Sequence, residues 1–279
     1  MNVELEEFRK LSGIIYPPFS MAPFEKYFYD YIQNSNNKEI IEKYIPVFWT
    51  EIQISCNGYN VNKLQNIMDN WDKDSKYFTI VQHDDGINVK LNNNITIYGM
   101  GGNGNIALPL TYDNPELFEN YQNVSKTIFC SFMGSNTHWC RDVMLNKLKN
   151  KEDIIMITDN WTNNINKSKQ DKFLELTSSS RFTLCPRGYG KTSFRLYEAF
   201  KLKSIPIYIY DESFLPYTEI IDWNKMAVLV HIGEIDNLYD KLKAITDEEI
   251  NKMLEYYKKY EYLFTYEGMS NYVVNSFNK

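Results

Sequence analysis

Apolar residues fall along this chain in short runs, and the spacing between the runs changes near its middle. In the first part, IPVFWTEIQI from Ile45, YFTIVQHDD from Tyr77 and ITIYGM from Ile95 have strand length and strand composition. A helical segment and the polar stretch NIMDNWDKDSK separate the first two. The pattern ends in TYDNPELFENYQN, around Asn114 and Pro115, and a fresh strand, TIFCSFMG, begins at Thr127. Strand and helix then alternate: TIFCSFMG, RDVMLNKLKN, IIMIT, a helix near QDKFLEL, RFTLC, TSFRLYEAFKL and IPIYIY. Strands separated by helices of about ten residues imply right-handed crossovers and a parallel sheet. The second part therefore reads as Rossmann-like. The tail TDEEINKMLEYYKKYEYLF has an acidic first turn and predicts a helix capped by Thr246 or Asp247. The expected fold is α/β with two lobes, 1–120 and 121–279, joined near Asn120 and closed by a helical tail.

Bulk properties narrow the function. A chain of 279 residues with 43% hydrophobic positions can bury two cores. A net charge of -6 argues against broad nucleic-acid binding but leaves room for a local cationic cluster, such as the one around Arg187. Cys56, Cys130, Cys140 and Cys185 show no CxxC pair and read as reduced, buried thiols. MNVELEEFRK lacks a signal-peptide pattern and no apolar run approaches membrane-spanning length, so a cytoplasmic, unanchored protein is expected. The sequons at Asn94, Asn123, Asn160 and Asn166 reflect the abundance of asparagine.

The chemistry concentrates in RFTLCPRGYGKTSFRLYEAF: a buried strand, a Pro/Gly turn carrying cations, and a helix starting near Thr192. A helix N-terminus offers free N–H groups and a positive dipole end to phosphate, and Thr192 or Ser193 can cap it or donate a hydroxyl. Gly188 and Gly190 let the backbone approach a ligand closely. Arg195 and Glu198 are three apart and share a helical face, so they can serve a phosphate and a ribose from one cleft wall, or simply pair as a surface ion bridge.

The series RF-L-P-G followed by S-x-R-L-x-E-A (Ser193, Arg195, Leu196, Glu198, Ala199), continuing through IPIYIYDESFLPY, IDW and AVLV, closely resembles the exostosin family of glycosyltransferases. Upstream, FCSFMG with Arg141 looks like the start of that family's second lobe, and YFTIVQHDD looks like its first-lobe strand ending in His-Asp. The resemblance implies a GT-B-like architecture of two facing Rossmann-like lobes, with the donor held by the second and the acceptor by the first. It implies an inverting transfer from a nucleotide diphosphate sugar, a uridine diphosphate sugar by preference, to a glycan or other hydroxyl acceptor. By similarity Arg195 and Glu198 contact the diphosphate and ribose, while Arg187, Lys191 and Arg141 support the phosphates. No cofactor or bound metal is expected, since cationic side chains and a helix terminus can neutralise the leaving diphosphate. Two departures are noted: Lys203 and Ser204 occupy the place where the family usually has Gly-Cys, and neither the family's usual membrane anchor nor a second catalytic module is expected here.

Other patterns compete. CPRGYGKTS imitates a P-loop, with IPIYIYDE as its acid-bearing strand, but Cys185 stands where the first glycine is required. Gly99, Gly101 and Gly104 match G-x-G-x-x-G, yet NIALPLTYDNP makes a poor following helix, and the loop reads as a turn or as an edge of the acceptor cleft. Asp72 and Asp74 form a D-x-D in a polar loop. His83, His138 and His231 show no i+3 or i+4 pairing and no Cys partner in metal-ligand spacing, so no structural zinc is expected. Tyr16, Phe19, Phe24, Tyr27, Phe28 and Tyr29 read as core packing. A catalytically inactive nucleotide- or glycan-binding protein with the same fold remains an alternative.

An inverting transfer needs a base to take the acceptor proton. The expected source is QHDDG at the end of YFTIV, with Asp84 first, His83 its rival and Glu51 next; the aspartates equally suit a plain turn.

Overall fold

The computed structural model describes residues 3–11, 24–35, 37–55, 60–162 and 165–277. Cys56, Tyr16 and Phe19 lie outside the described residues. The first lobe carries a parallel sheet of β1 (Tyr77–Val81), β2 (Ile95–Gly99) and the short β3 (Ile106–Ala107), in that order. Helices α1 (Phe24–Asn34), α2 (Lys38–Lys43), α3 (Trp49–Ile54) and α4 (Val61–Asp69) precede it. Strand alternation turns Phe78, Ile80 and Tyr98 into one apolar cluster with Phe24 and Phe28. Val81 and Ile95 join a second cluster with Val47, Trp49 and Leu64, so the sheet is covered on both faces.

The run at Ile45 departs from the strand expected of it. Its start does extend: Tyr44 bridges Phe78 in parallel and the Ile45 N–H donates to the Phe78 carbonyl at 2.8 Å. From Trp49 it becomes α3. The cause lies outside the run, because the buried Glu25 carboxyl accepts the Thr50 N–H at 3.1 Å and the Thr50 hydroxyl at 2.6 Å. An acid at a helix N-terminus satisfies an orphan donor and favours helix over strand. Glu51 consequently sits buried in a helix and does not end a strand.

The second lobe follows α5 (Glu116–Glu119) and contains β4 (Ile128–Ser135), α6 (Trp139–Leu148), β5 (Ile154–Asp159), α7 (Lys167–Ser178), β6 (Ser180–Pro186), α8 (Phe194–Lys201), β7 (Ile205–Tyr210) and β8 (Val228–His231). All its strands are parallel, in the order β5-β4-β6-β7-β8. Successive crossovers run outward in opposite directions from the β4/β6 pair. That is the switch point, where open α/β sheets bind ligands beyond the carboxyl ends of their strands. Cys130, Phe132, Phe182, Leu184 and Ile207 fill the core beneath it. Cys130, Cys140 and Cys185 are free, buried thiols.

After α9 (Leu238–Ala244) the tail begins at Thr246, which forms a capping box with Glu249 at the start of α10 (Asp247–Tyr260). Helix α11 (Tyr266–Phe277) then returns to the first lobe. The Phe277 ring meets Phe78 at 4.6 Å between centroids, and the Tyr98 and Ser276 hydroxyls are 2.8 Å apart. One apolar cluster thus joins Phe78 and Tyr98 to Leu196, Phe200 and Tyr208 of the second lobe through Phe264 and Met269.

Helix α8 ends in a Schellman motif, with the Ser204 N–H on the Ala199 carbonyl (2.9 Å) and the Lys203 N–H on that of Phe200 (2.9 Å). Lys203 takes the left-handed position at φ 55°, a conformation suited to glycine. Ser204 is buried beside it, with its hydroxyl 2.7 Å from that of Thr183.

Candidate active site

The loop from Arg187 to Thr192 leaves the carboxyl end of β6 and enters α8, whose N-cap is Ser193. Its backbone is tightly committed. The Gly188 N–H donates to the Thr192 carbonyl at 3.1 Å and the Lys191 N–H to the Gly101 carbonyl of the first lobe at 3.2 Å. Gly190 packs against the Asp84 carboxyl, so that an added Cβ would come within 2.4 Å of its Oδ1, and the Gly190 N–H there favours the carboxylate. A P-loop turns such N–H groups inward around phosphate, whereas here they are spent on protein oxygens.

Two arginines hold the loop's shape. Arg141, on α6 and nearly inaccessible, donates from Nε to the Arg187 carbonyl at 2.9 Å and from Nη2 to the Pro186 carbonyl at 3.3 Å. Burial, reinforced by Arg195, pushes its pKa down to about 9. Arg187 reaches back over its own loop to the Tyr189 carbonyl at 3.0 Å and pairs with Asp211 at 2.7 Å. Burial opposes ionisation of Asp211, yet hydrogen bonds from Arg187 and the Glu212 N–H hold its pKa below the ordinary value. Lys191 turns outward and pairs with Glu212 at 2.6 Å.

Arg195 and Glu198 share α8 but have different partners. The Arg195 Nε donates to the Met133 carbonyl at the end of β4, and its guanidinium lies 5.5 Å from the Phe173 ring centre. Gly134 makes room for it, since a Cβ there would come within 2.6 Å of Arg195 Nη2. Glu198 is buried and accepts the Tyr112 hydroxyl at 2.9 Å, while Lys201 donates to the Tyr112 carbonyl at 2.7 Å. Burial raises the Glu198 pKa, against the opposing pull of Arg195, Tyr112 and Lys201. Burial likewise pushes Lys201 down to about 8. The simple surface ion bridge is therefore not the arrangement adopted. Thr192 and Ser193 are both buried at the loop's end, and the Ser193 hydroxyl accepts the Arg195 N–H at 3.4 Å.

On the first lobe, β1 ends at Val81 and a tight turn follows, closed by the Gly86 N–H on the His83 carbonyl at 3.0 Å, with Gly86 at φ 72°. Strand alternation no longer governs His83, Asp84 and Asp85. The His83 Nδ1 accepts the Asp85 N–H at 3.2 Å, which uses one of its ring nitrogens locally. Burial lowers the His83 pKa, with Asp85 pulling the other way. Asp84 instead crosses to the second lobe. Burial and then the charge of Asp85 raise its pKa to about 6, although the Gly190 N–H, Arg187 and Arg141 favour the carboxylate. The sequence patterns on the two lobes thus meet in space at Asp84 and Gly190.

Several participants had little sequence signal. Tyr112 lies in the segment between lobes, and the Glu25 carboxyl accepts the Gln82 N–H at 2.8 Å from far away in the chain. Asp211 follows β7 and could have been found as an acid at a strand's carboxyl end. His138, Cys140 and Asp211 bring an imidazole, a thiol and a carboxylate within 4.8 Å of one another, a grouping able to hold a metal ion although no spacing in the sequence suggests it. Arg187 already neutralises Asp211 there and would compete with a cation. Asp72, of the D-x-D, accepts the Asp74 N–H at 2.8 Å and the Tyr77 hydroxyl at 2.9 Å in an exposed turn.

Known proteins bear on this arrangement. The chain is 29% identical over 150 residues to a probable glycosyltransferase of Arabidopsis thaliana, an alignment covering 54% of this chain and 31% of the relative. It is 29% identical over 125 residues to an exostosin-1 homolog of Caenorhabditis elegans, covering 40% of this chain and 33% of that one. It thus spans about a third of the length of these relatives. Among solved structures, the C-terminal domain of a group 1 family glycosyl transferase from Francisella tularensis matches 53% of this chain and 97% of its own, at 12% identity and a TM-score of 0.35. The family model for the Exostosin GT47 domain matches residues 64–245, spanning the Asp84 turn, the loop at Gly190 and the Arg195 helix, and the chain belongs to that family.

Proposed function

We propose that the chain is an inverting glycosyltransferase that moves a sugar from a uridine diphosphate sugar to a hydroxyl acceptor. The observation that carries this reading is the packing of the Asp84 carboxyl, from the acceptor-side lobe, against Gly190 of the loop that leads into the Arg195 helix, where an added Cβ would come within 2.4 Å of Asp84 Oδ1. In the reaction Asp84 takes the acceptor hydroxyl proton as the oxygen attacks the anomeric carbon. The carbon–oxygen bond to the diphosphate breaks, and its electron pair leaves on the phosphate oxygen. Arg195 and the N-terminus of α8 stabilise that charge, with Arg187, Lys191, Gly188, Thr192 and Ser193 shaping the pocket and Arg141 bracing it from behind. Glu198 accepts from the ribose hydroxyls beside Tyr112. Neutralisation by these groups makes the transfer independent of a bound divalent metal, and no cofactor takes part. A carboxyl with a pKa of about 6 is ionised at neutral pH and retains enough basicity for general-base catalysis. Asp84 is favoured over His83 because one imidazole nitrogen is engaged with the Asp85 N–H.

The deciding experiment is transfer by Asp84→Asn and His83→Ala proteins, with donor binding followed separately. Asp84→Asn should bind uridine diphosphate yet lose transfer by a factor of about a hundred or more, while His83→Ala loses less. Near-normal turnover by Asp84→Asn under chemistry-limited conditions would move the base elsewhere. Transfer abolished by a chelator and restored only by Mn²⁺ or Mg²⁺ would contradict the metal-independent mechanism.

A further inference from the structure

The G-x-G-x-x-G pattern of the first lobe is left unused by the transfer chemistry, yet it lies directly against that chemistry. An added Cβ on Gly101 would come within 2.6 Å of Asp84 Cα, 2.7 Å of its N and 2.8 Å of its Oδ1. One on Gly102 would come within 2.4 Å of the Lys191 N, and one on Gly190 would meet the Gly101 carbonyl at 2.0 Å and Asp84 Oδ1 at 2.4 Å. Side chains do not tolerate such approaches, so this interlobe contact is open to glycine alone at all three places. The Lys191 N–H bond to the Gly101 carbonyl closes the contact, and the Asn103 amide holds the Asp84 carbonyl from the other side at 2.5 Å.

We infer that Gly101, Gly102 and Gly190 form a clasp between the lobes that positions the Asp84 carboxyl, making the donor-side loop itself the part that orients the acceptor-side base. The inference rests on Asp84 acting as the base. The glycines are positioning residues, and their effect passes through Asp84. Four other groups set the electrostatics of that carboxyl: Asp85 beside it, Arg187 on the loop, Arg141 on α6, and Tyr189, whose hydroxyl is turned toward Asp85. Since burial against the opposing lobe is the largest influence raising the Asp84 pKa and outweighs the Gly190 N–H, loosening the clasp lets water reach the carboxyl, and the acid limb of the rate profile moves to lower pH.

The test is the pH dependence of kcat for wild type, Gly101→Ala, Gly190→Ala and Gly104→Ala. In the wild type the acid limb should have its midpoint near the Asp84 pKa of about 6. Gly101→Ala and Gly190→Ala should lower kcat at pH 7 at least tenfold by misplacing the carboxyl, and move the limb down by about one pH unit toward that of a solvated aspartate. Gly104→Ala strains the same turn, because its Cβ would meet Gly99 N at 2.8 Å and Ile97 O at 3.0 Å, but it touches neither Asp84 nor the loop at Gly190. Its limb should stay in place. Should the two clasp variants not fold, Asn103→Ala decides, as Asn103 is exposed and its loss loosens the Asp84 turn without entering a core. A shift in the same direction supports the clasp, and an unmoved limb overturns it. Full activity of Asp84→Asn defeats the base assignment, whereas an inactive Asp84→Asn alongside clasp variants with wild-type limbs defeats the clasp alone.

Discussion

Glu25 offers the sharpest test of how the first lobe is held together. It is wholly inaccessible, and its carboxyl accepts from the Thr50 N–H, the Thr50 hydroxyl and the Gln82 N–H, which fixes α1 and α3 to the chain just before His83 and Asp84. Burial, the largest influence, lifts its pKa from 4.5 to about 7, against those hydrogen bonds and with some help from Glu51. Between these values the folded protein binds more protons than the unfolded chain, so stability falls as pH rises through the window and is level above it. The interval corresponds to about 3 kcal/mol of stability lost between pH 5 and 8. Glu25→Gln removes the titration while retaining a carbonyl oxygen for Thr50 Oγ1 and Gln82 N. Its new amide replaces the oxygen that accepts the Thr50 N–H at 3.1 Å and leaves only the 3.2 Å approach to the retained oxygen, which costs about 1 kcal/mol at every pH. Urea unfolding of both proteins at pH 5, 6, 7 and 8 should therefore show a lower variant at pH 5 that draws level with or overtakes wild type by pH 8. Parallel stability curves across that range would refute the buried, proton-binding carboxyl.

Three further outcomes follow from other parts of the molecule. Arg195→Ala should weaken uridine diphosphate binding by about 1.5 to 3 kcal/mol, the worth of a charge-assisted contact, and unchanged calorimetric affinity in a folded protein would remove Arg195 from the donor site. Lys203→Gly should relieve the left-handed strain at φ 55° and stabilise the fold by about 1 kcal/mol, raising Tm by about 2 °C in a chain of this size. Tyr112→Phe should cost about 1.5 kcal/mol by removing a hydrogen bond to the buried Glu198 carboxyl, with a larger loss at pH 8 than at pH 5 in denaturant unfolding because the bond favours the ionised form.

What could be read from the sequence, and what could not, follows from the range of the forces involved. The second lobe was legible almost element by element, because its strands are apolar runs and, from β4 to β7, a helical period lies between one and the next, and both signals are local. Thr246 as a helix cap is likewise written within four residues. The run from Ile45 misled because its composition favours a strand while its structure is decided by Glu25, twenty-five residues before Thr50. The return of α11 to the first lobe was hidden for the same reason, since the Phe277 to Phe78 contact joins distant segments. At the site, the residue types and the two carrying segments were visible, but not their meeting. QHDDG read as a source of the base or a plain turn, and the Gly99–Gly104 loop as a turn or an edge of the acceptor cleft, and neither reading names the residue of the other lobe that it meets. Only the close approach of Gly101, Gly190 and Asp84 separates these turns from any other, and it explains why the glycines of the first-lobe loop stand where no dinucleotide is called for. The same contact gives the acid at position 84 its environment: the neighbouring Asp85 belongs to the same turn and stays exposed, whereas Asp84 is half-buried against the opposing lobe and its pKa is raised to about 6. The difference between two adjacent aspartates, one a solvated turn residue and the other the proposed base, is thus set by packing across the cleft, which the order of residues along the chain does not encode locally.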